Sequence, residues 1–152
     1  MEKRVSCRAI IIEEGQIVLM YREKNDRIYY TFPGGGIEEN ETLKECVLRE
    51  VKEEFGIDVI VQKEVYTYED ETTVQHFFMC KWESGELGSG KGEEFQGNNK
   101  GIYIPVLANI DDLNKLPVMP PEITSQLIND VKKYGVNLNE KITNFYKGQK
   151  ME

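Results

Sequence analysis

The chain has 152 residues, 39% of them hydrophobic and 30% charged, which is enough for one domain with a buried core. Its formal net charge of −8 argues against nonspecific binding to nucleic acid and against a membrane surface, because both favour basic patches. No apolar run approaches the length of a membrane span. We therefore expect a globular cytoplasmic protein that is a monomer or a homodimer.

The predicted elements alternate strands with two helices. Residues 4–12 and 16–21 form a hairpin around a Glu-Glu-Gly turn, and residues 28–32 form a β-prone segment that stops at Pro33. Three glycines then lead into a helix over residues 41–55, which Asn40 or Thr42 caps and Gly56 ends. Residues 59–68 and 73–82 form a second antiparallel pair.

The second half of the chain is less regular. Residues 83–101 are rich in glycine and predict a mobile surface loop, which we expect to close over a bound ligand. A last strand over 101–107, a short helical turn near Asp111 and an amphipathic helix over 122–134 follow. We predict one domain over residues 1–135 and a tail or small extension over 136–152.

Cysteine usage predicts a reducing compartment. Cys7, Cys46 and Cys80 are an odd number, lie far apart in the sequence and form no CxxC motif. We therefore expect three reduced thiols and no metal–thiolate site.

The first helix carries an unusual cluster of acids. Glu50, Glu53 and Glu54 are spaced i, i+3 and i+4, so their side chains emerge within one arc about a turn long. Oxygen ligands clustered in this way suit Mg²⁺ or Mn²⁺. The alternative is a solvated helix face on which Arg49 pairs with its neighbours. The apolar face of the same helix predicts core positions at Leu43, Val47, Leu48, Val51 and Phe55.

The spacing of the whole stretch resembles the signature of the Nudix hydrolases. Gly35, five residues, Glu41, seven residues, Arg49-Glu50-Val51, one residue, Glu53-Glu54, one residue and Gly56-Ile57 match that signature at every fixed position. The resemblance implies an α/β/α sandwich with a mixed central β-sheet. It also implies hydrolysis of a pyrophosphate bond in a nucleoside diphosphate linked to another moiety, such as a nucleoside triphosphate.

The resemblance also implies roles for individual residues. Glu50, Glu53 and Glu54 would hold Mg²⁺, with Mn²⁺ as a substitute, and a carbonyl of Gly34 or Gly35 would complete the shell. Arg49 would orient the catalytic carboxylates, and Glu41 would support the loop or a metal-bound water.

The general base and the substrate contacts are assigned less directly. The base is either a glutamate of the motif, Glu50 or Glu53, or a glutamate of the glycine-rich loop, Glu94 or its neighbour Glu93. Relatives specific for triphosphates have a phosphate-binding arginine where this chain has Arg22, and Arg27 is a second candidate. The remaining substrate contacts are expected from Phe32, Gly34 and Gly36. His76, the only histidine of the chain, is expected either to pack in its hydrophobic strand or to form part of the substrate wall.

Two other functional classes compete with hydrolysis. One is a catalytically silent Nudix-fold domain that binds a nucleotide as a sensor. The intact run of glutamates in the motif argues against this alternative. The other is an isoprenoid diphosphate isomerase, whose additional metal-binding histidines a chain with one histidine lacks. The sequence leaves the nucleotide and the leaving group open.

Overall fold

A computed structural model describes residues 2–89, 101–135, 138 and 146–149, the last four by backbone alone. Over these residues the chain forms nine strands and two α-helices. The strands are β1 Arg4–Glu13, β2 Gln16–Lys24, β3 Arg27–Thr31, β4 Gly34–Gly36, β5 Ile57–Glu69, β6 Thr73–Gly85, β7 Ile102–Asn109, β8 Val118–Met119 and β9 Tyr146–Gln149. The helices are α1 Leu43–Phe55 and α2 Pro121–Tyr134, with a 3₁₀ helix at Ile110–Lys115.

The strands form one mixed sheet in the order β8-β3-β2-β1-β6-β5-β9. Strand β1 runs parallel to β6 and antiparallel to β2, but it pairs with β2 only from Ile12 to Glu13. Beyond that point β1 pairs with the glycine strand β4, and β2 pairs with β7. The sheet therefore opens between β1 and β2, and the opening creates a cleft.

Two apolar layers cover the two faces of the sheet, as alternation along β1 requires. Ala9 and Ile11 pack in one cluster with Val47 and Val51 of α1. Ile10, which points the other way, packs in a second cluster that includes Ile123 and Leu127 of α2. This arrangement confirms the predicted α/β/α sandwich with a mixed central sheet.

Helix α1 ends at the predicted residue and begins at Leu43, two residues after the predicted start, with Thr42 as its cap. The Thr42 hydroxyl accepts a hydrogen bond from the Glu45 N–H at 3.1 Å, and the Glu45 carboxylate accepts one from the Thr42 N–H at 2.9 Å. This reciprocal capping box satisfies two N–H groups that a helix start leaves without partners. Gly56 ends the helix with a φ of 78°. The prediction for Leu48 was wrong, since this residue is 44% exposed at the margin of the apolar arc.

The cysteine prediction was also wrong. Cys7 of β1 and Cys46 of α1 form a disulfide, their Cα atoms 6.2 Å apart, and Cys80 is a buried free thiol. Both bonded residues lie in the cluster beneath α1, so the fold brings together two cysteines that are 39 positions apart. Sequence spacing carries no signal for such a contact.

The carboxyl-terminal part adds to the sheet. The backbone of β9 pairs in parallel with β5, from Tyr66 to Glu69. Strand β6 continues to Gly85, so the predicted loop over residues 83–101 begins later, and its residues 90–100 lie outside the described part of the chain. None of the described helices has the length and apolar content needed to span a membrane.

Candidate active site

A pocket of about 280 Å³ lies in the cleft where β1 and β2 diverge. Backbone of the glycine strand forms its floor, α1 contributes acids, and β1 and β2 contribute arginines. The lining residues are Arg4, Arg8, Met20, Arg22, Thr31, Phe32, Gly34, Gly35, Gly36, Glu50, Glu54 and Tyr103. The fold thus brings the expected Arg22, Phe32, Gly34, Gly35, Gly36, Glu50 and Glu54 to one place.

The glycines of the floor leave no room for side chains. A Cβ on Gly34, whose φ is +147°, would lie 1.9 Å from the Cys7 carbonyl oxygen. A Cβ on Gly35 would lie 2.6 Å from Glu50 Oε1, and one on Gly36 would lie 2.9 Å from Arg4 Nη2. Bare backbone therefore reaches both charged walls of the pocket.

The acidic wall consists of Glu50 and Glu54, one helical turn apart on α1. Glu53 does not line the pocket, and its side chain is 57% exposed and lies 3.5 Å from Arg49 Nη1. Within the described ranges, no three His, Cys, Asp or Glu side chains converge closely enough to hold a metal ion by themselves. The structure therefore brings two of the three expected carboxylates to the pocket and places the third beside Arg49.

Arg49 connects the helix to the glycine strand and to the preceding loop. Its Nε and Nη2 donate to the two oxygens of Glu41 at 2.7 and 3.0 Å, and its Nη1 donates to Glu50 Oε1 at 3.0 Å. Nη2 also donates to the Gly36 carbonyl at 3.1 Å. One planar guanidinium thus fixes the Glu50 carboxylate relative to the floor of the pocket.

This network changes the acidity of its members. Hydrogen bonding from Arg49, together with the Glu38 N–H, lowers the pKa of Glu41 from 4.5 to about 2. The same contact with Glu41 raises the pKa of Arg49. Both groups stay ionised at neutral pH, so the ion pair is maintained there.

The opposite wall is basic. The Arg22 guanidinium lies 4.1 Å from the ring centroid of Tyr103 and 5.3 Å from that of Tyr29, and Nη2 donates to the Tyr103 hydroxyl. Its Nε is buried without a hydrogen-bond partner among the described residues. A buried donor without an acceptor is costly, and an anionic ligand would remove that cost.

The donor chemistry of the pocket fits a hard divalent cation. Glu50, Glu54 and the carbonyls of the glycine strand offer only oxygen, which Mg²⁺ and Mn²⁺ prefer, and Mg²⁺ usually completes its shell with water and substrate phosphate. Two protein carboxylates are within the number that Mg²⁺ sites of this kind commonly use. The carbonyl oxygen of Gly35 also lies 3.7 Å from the sulfur of Cys7 and 3.6 Å from that of Cys46, so the disulfide supports the floor from beneath.

A second, larger cavity of about 490 Å³ adjoins the pocket. Arg8 and Thr31 line both spaces, so the two meet at these residues. The other lining residues come from β3, β5, β6, β8 and the start of α2, and from the turns beside them: Arg27, Tyr68, Asp70, Gln75, Met119, Pro120, Pro121 and Glu122. A volume in this range is typical of small-molecule sites.

Several functional candidates differ from those expected from the sequence. Arg27 lines the second cavity rather than the pocket, and His76 lies outside both, with Nδ1 2.7 Å from Glu64 Oε2. Glu93 and Glu94 lie outside the described residues. Sequence reasoning missed Arg4, Arg8 and Tyr103. For Arg8 a signal exists, because a charged residue inside the apolar run Cys7 to Ile12 requires a partner or a ligand.

Phe32 contributes less surface than expected. Its side chain is 1% exposed and packs edge-to-face on Phe77, with ring centroids 5.4 Å apart. The Phe32 carbonyl accepts a hydrogen bond from Arg8 at 3.1 Å. The ring is therefore mainly a core element behind the pocket.

Comparisons of sequence relate the chain to nucleotide-processing proteins. It is 36% identical over 69 residues to an 8-oxo-dGTP diphosphatase of Proteus vulgaris, in a match covering 42% of this chain and 61% of that protein. It is 34% identical over 80 residues to the NAD-capped RNA hydrolase NudC of Photobacterium profundum, covering 49% and 29% respectively. The chain thus spans less than two thirds of the length of either relative.

Comparisons of structure show the same fold over nearly the whole chain. A NUDIX hydrolase from Nitrosomonas europaea superposes with a TM-score of 0.75 at 19% identity, covering 100% of this chain and 81% of that one. An ADP-ribose pyrophosphatase from Streptococcus suis superposes with a TM-score of 0.63 at 22% identity, covering 98% of this chain and 100% of that one. A family model described as NUDIX domain matches residues 2–119. Because that match spans well over half of the sequence, the chain belongs to the NUDIX domain family.

Proposed function

We propose that the protein is a divalent-metal-dependent hydrolase that cleaves the pyrophosphate bond of a nucleoside diphosphate linked to another group. The observation that carries this proposal is the pocket itself, in which carboxylates and arginines face each other across bare glycine backbone. The carboxylates are suited to a cation and the arginines to phosphate oxygens. The glycines permit both to come close.

Positioning and charge neutralisation dominate the barrier to phosphoryl transfer. A bound divalent cation supplies polarisation of the phosphoryl oxygens and of the attacking water. In this protein, the Arg22 guanidinium, which Tyr29 and Tyr103 hold in place, donates hydrogen bonds to non-bridging phosphate oxygens. Arg49 keeps the Glu50 carboxylate against the floor, so that its second oxygen stays available to the pocket.

The general base is either a motif glutamate or a loop glutamate. Glu50 is the motif candidate in the pocket, whereas Glu53 would have to leave Arg49. Glu94→Gln tests the loop, with Glu93→Gln as the matched control. A loss of kcat in Glu94→Gln alone, with KM little changed, identifies Glu94 as the base. Wild-type kcat in both variants assigns the role to the motif.

The nucleotide class is supported by the relatives whose names refer to 8-oxo-dGTP and to NAD-capped RNA. Both of those molecules contain a nucleoside attached to a phosphoanhydride. The second cavity provides space for such an organic group next to the phosphate pocket. A catalytically silent nucleotide sensor is the alternative, and it predicts binding without turnover.

The test is a panel of nucleoside triphosphates, nucleotide sugars and dinucleotides, assayed for phosphate, pyrophosphate or nucleotide release with Mg²⁺, Mn²⁺, Zn²⁺ or excess chelator. We expect turnover with Mg²⁺ or Mn²⁺ and none with chelator, because the donors are hard oxygens. Glu50→Gln and Glu54→Gln should abolish most turnover. Glu45→Gln is the matched control, since glutamine at that position preserves the capping box.

Full turnover in chelator would refute metal dependence. Nucleotide binding with no turnover of any compound under any cation would favour the sensor.

A further inference from the structure

Arg8 occupies an unusual position for a charged residue. Its neighbours on β1, Cys7 and Ala9, are buried beneath α1, and Arg8 lies on the opposite face of the strand. There its side chain lines both the pocket of about 280 Å³ and the cavity of about 490 Å³. Among the described residues, it is the charged group that both spaces share.

The surroundings hold the Arg8 side chain in place. Its Nε donates to Gln75 Oε1 at 3.2 Å, and its Nη1 donates to the Phe32 carbonyl at 3.1 Å. A Cβ at Gly34 would lie 2.9 Å from Arg8 Cδ, so the glycine strand packs directly on the arginine stem. The guanidinium is therefore positioned before any ligand arrives, which lowers the entropy cost of using it.

The hydrogen-bonding capacity of Arg8 is only partly used. An arginine carries five N–H donors, and the described residues accept hydrogen bonds from two of its nitrogens. Glu54 and Glu50 act on Arg8 through their charge. A largely desolvated guanidinium with unused donors that line a cleft is suited to bind a planar or tetrahedral oxyanion, because each such hydrogen bond is charge-assisted.

The positions of the pocket and the second cavity indicate which oxyanion Arg8 would bind. A diphosphate whose scissile bond lies beside Glu50 and Glu54 must pass Arg8 if its organic group enters the second cavity. That cavity offers hydrogen-bonding groups on Gln75, Asp70 and Glu122, and the ring of Tyr68. A nucleoside fits this mixture of polar and aromatic surface. A further phosphate would meet the carboxylates of Asp70 and Glu122, with Arg27 as the one cation of the described residues that lines this cavity besides Arg8.

We propose that Arg8, braced by Gln75, binds the phosphate that carries the nucleoside and thereby selects substrates whose organic group extends into the second cavity. This inference rests on the proposed function for its substrate class. Arg8 is a specificity-determining contact, and Gln75 is its positioning residue.

The test measures binding without turnover. Isothermal titration calorimetry in excess chelator gives the affinities of guanosine, adenosine, cytidine and uridine 5′-monophosphates, and of the four free nucleosides. For the monophosphate that the wild type binds most tightly, Arg8→Gln should weaken binding about tenfold or more, in line with the loss of charge-assisted hydrogen bonds. The monophosphate affinity of Arg8→Lys should lie between those of the wild type and Arg8→Gln. The affinity of both variants for the free nucleoside should differ from that of the wild type by less than about twofold.

Lys44→Gln is the matched control, because it removes the same charge at an exposed position of α1. It should leave both affinities unchanged. Gln75→Leu should weaken monophosphate binding in the same direction as Arg8→Gln but less strongly. The melting temperature of each variant, followed by circular dichroism, shows whether it is folded. If Arg8→Gln does not fold, Arg8→Lys replaces it in the binding test.

Equal monophosphate affinity in the wild type and Arg8→Gln overturns the inference, and so does a lack of monophosphate binding to the wild type at millimolar concentration. The outcome is separable from that of the proposed hydrolysis. Arg8-dependent binding in a protein that hydrolyses nothing would support this inference and refute the proposed activity. Hydrolysis together with Arg8-independent binding would support the proposed activity and refute this inference.

Discussion

Arg49 and Glu41 make a two-point ion pair, with Nε 2.7 Å from Oε2 and Nη2 3.0 Å from Oε1. The Glu41 side chain is only 12% exposed, and its Oε1 also accepts the Glu38 N–H at 3.0 Å. The pair joins the loop before α1 to the middle of the helix. It also leaves Nη1 of Arg49 directed at Glu50, so loop geometry and carboxylate orientation depend on the same contact.

The lowered pKa of Glu41 makes the stability of the protein pH-dependent. Since the folded-state pKa is about 2 against an ordinary value of 4.5, the ionised carboxylate stabilises the fold above pH 4.5. That contribution is lost as the pH falls through 4.5 towards 2. We expect urea unfolding to show Glu41→Gln less stable than wild type at pH 7, with a smaller difference near pH 3.

The matched control is Glu39→Gln, an exposed acid in the same loop. It should follow the wild type at every pH. A Glu41→Gln difference that stays constant from pH 7 to pH 3 would contradict the assignment.

The carboxylates of α1 should differ in their effect on kcat. Glu50 and Glu54 line the pocket, and removing one transition-state electrostatic group typically costs roughly 10²-fold or more. We expect Glu50→Gln and Glu54→Gln to lose at least about 10²-fold in kcat. Glu53→Gln should lose less, because Glu53 is exposed and lies beside Arg49. Steady-state kinetics at saturating Mg²⁺ measures all three, and a larger loss in Glu53→Gln would show that the carboxylate moves into the pocket.

Much of the fold was predictable from local patterns. The candidate caps Asn40 and Thr42, the C-terminal Gly56 and the helical apolar period predicted α1 to within two residues, because each reports backbone geometry within one turn. The arrangement of Gly34–Gly36 beside Glu50 and Glu54 followed from the resemblance of the motif. These features depend on residues that are close together in the chain.

Contacts between distant parts of the chain were not predictable. The Cys7–Cys46 disulfide depends on how α1 lies on β1, and the role of Arg8 depends on the divergence of β1 from β2. Tyr103 reaches Arg22 only because β7 pairs with β2. Residue spacing carries no information about such pairings, because register and strand order are set by the whole sheet.

The disulfide should contribute measurably to stability. It closes a loop of 39 positions, and a cross-link of this size typically stabilises by about 2–4 kcal/mol, mainly by restricting the unfolded chain. We expect dithiothreitol to lower the free energy of unfolding of the wild type by that amount. The double variant Cys7→Ala, Cys46→Ala should be less stable and insensitive to reductant.

Cys80→Ala is the control, and its response to reductant should match that of the wild type. Burial raises the pKa of Cys80 to about 12, so this thiol stays protonated at neutral pH. Iodoacetamide should therefore label no cysteine of the native oxidised protein. Labelling of Cys7 or Cys46 before reduction, read by mass spectrometry, would show that the bond is absent.

The three glycines of the floor provide a graded series of alanine substitutions. In Gly34→Ala the new Cβ would meet the Cys7 carbonyl oxygen at 1.9 Å on a backbone with a φ of +147°, so this variant should be strongly destabilised. In Gly35→Ala the Cβ would meet the Glu50 carboxylate at 2.6–2.9 Å. The end of a side chain can move away, so this variant should fold but displace Glu50 from the floor.

Gly36→Ala is the comparison, because the three atoms nearest to its Cβ would belong to the guanidinium of the exposed Arg4, at 2.9–3.4 Å. We expect kcat to fall roughly 10²-fold or more in Gly35→Ala, as for removal of a transition-state electrostatic group. It should fall much less in Gly36→Ala, while melting temperatures of both stay near the wild-type value. Near-normal kcat in a folded Gly35→Ala would show that catalysis does not depend on the contact between Glu50 and the floor.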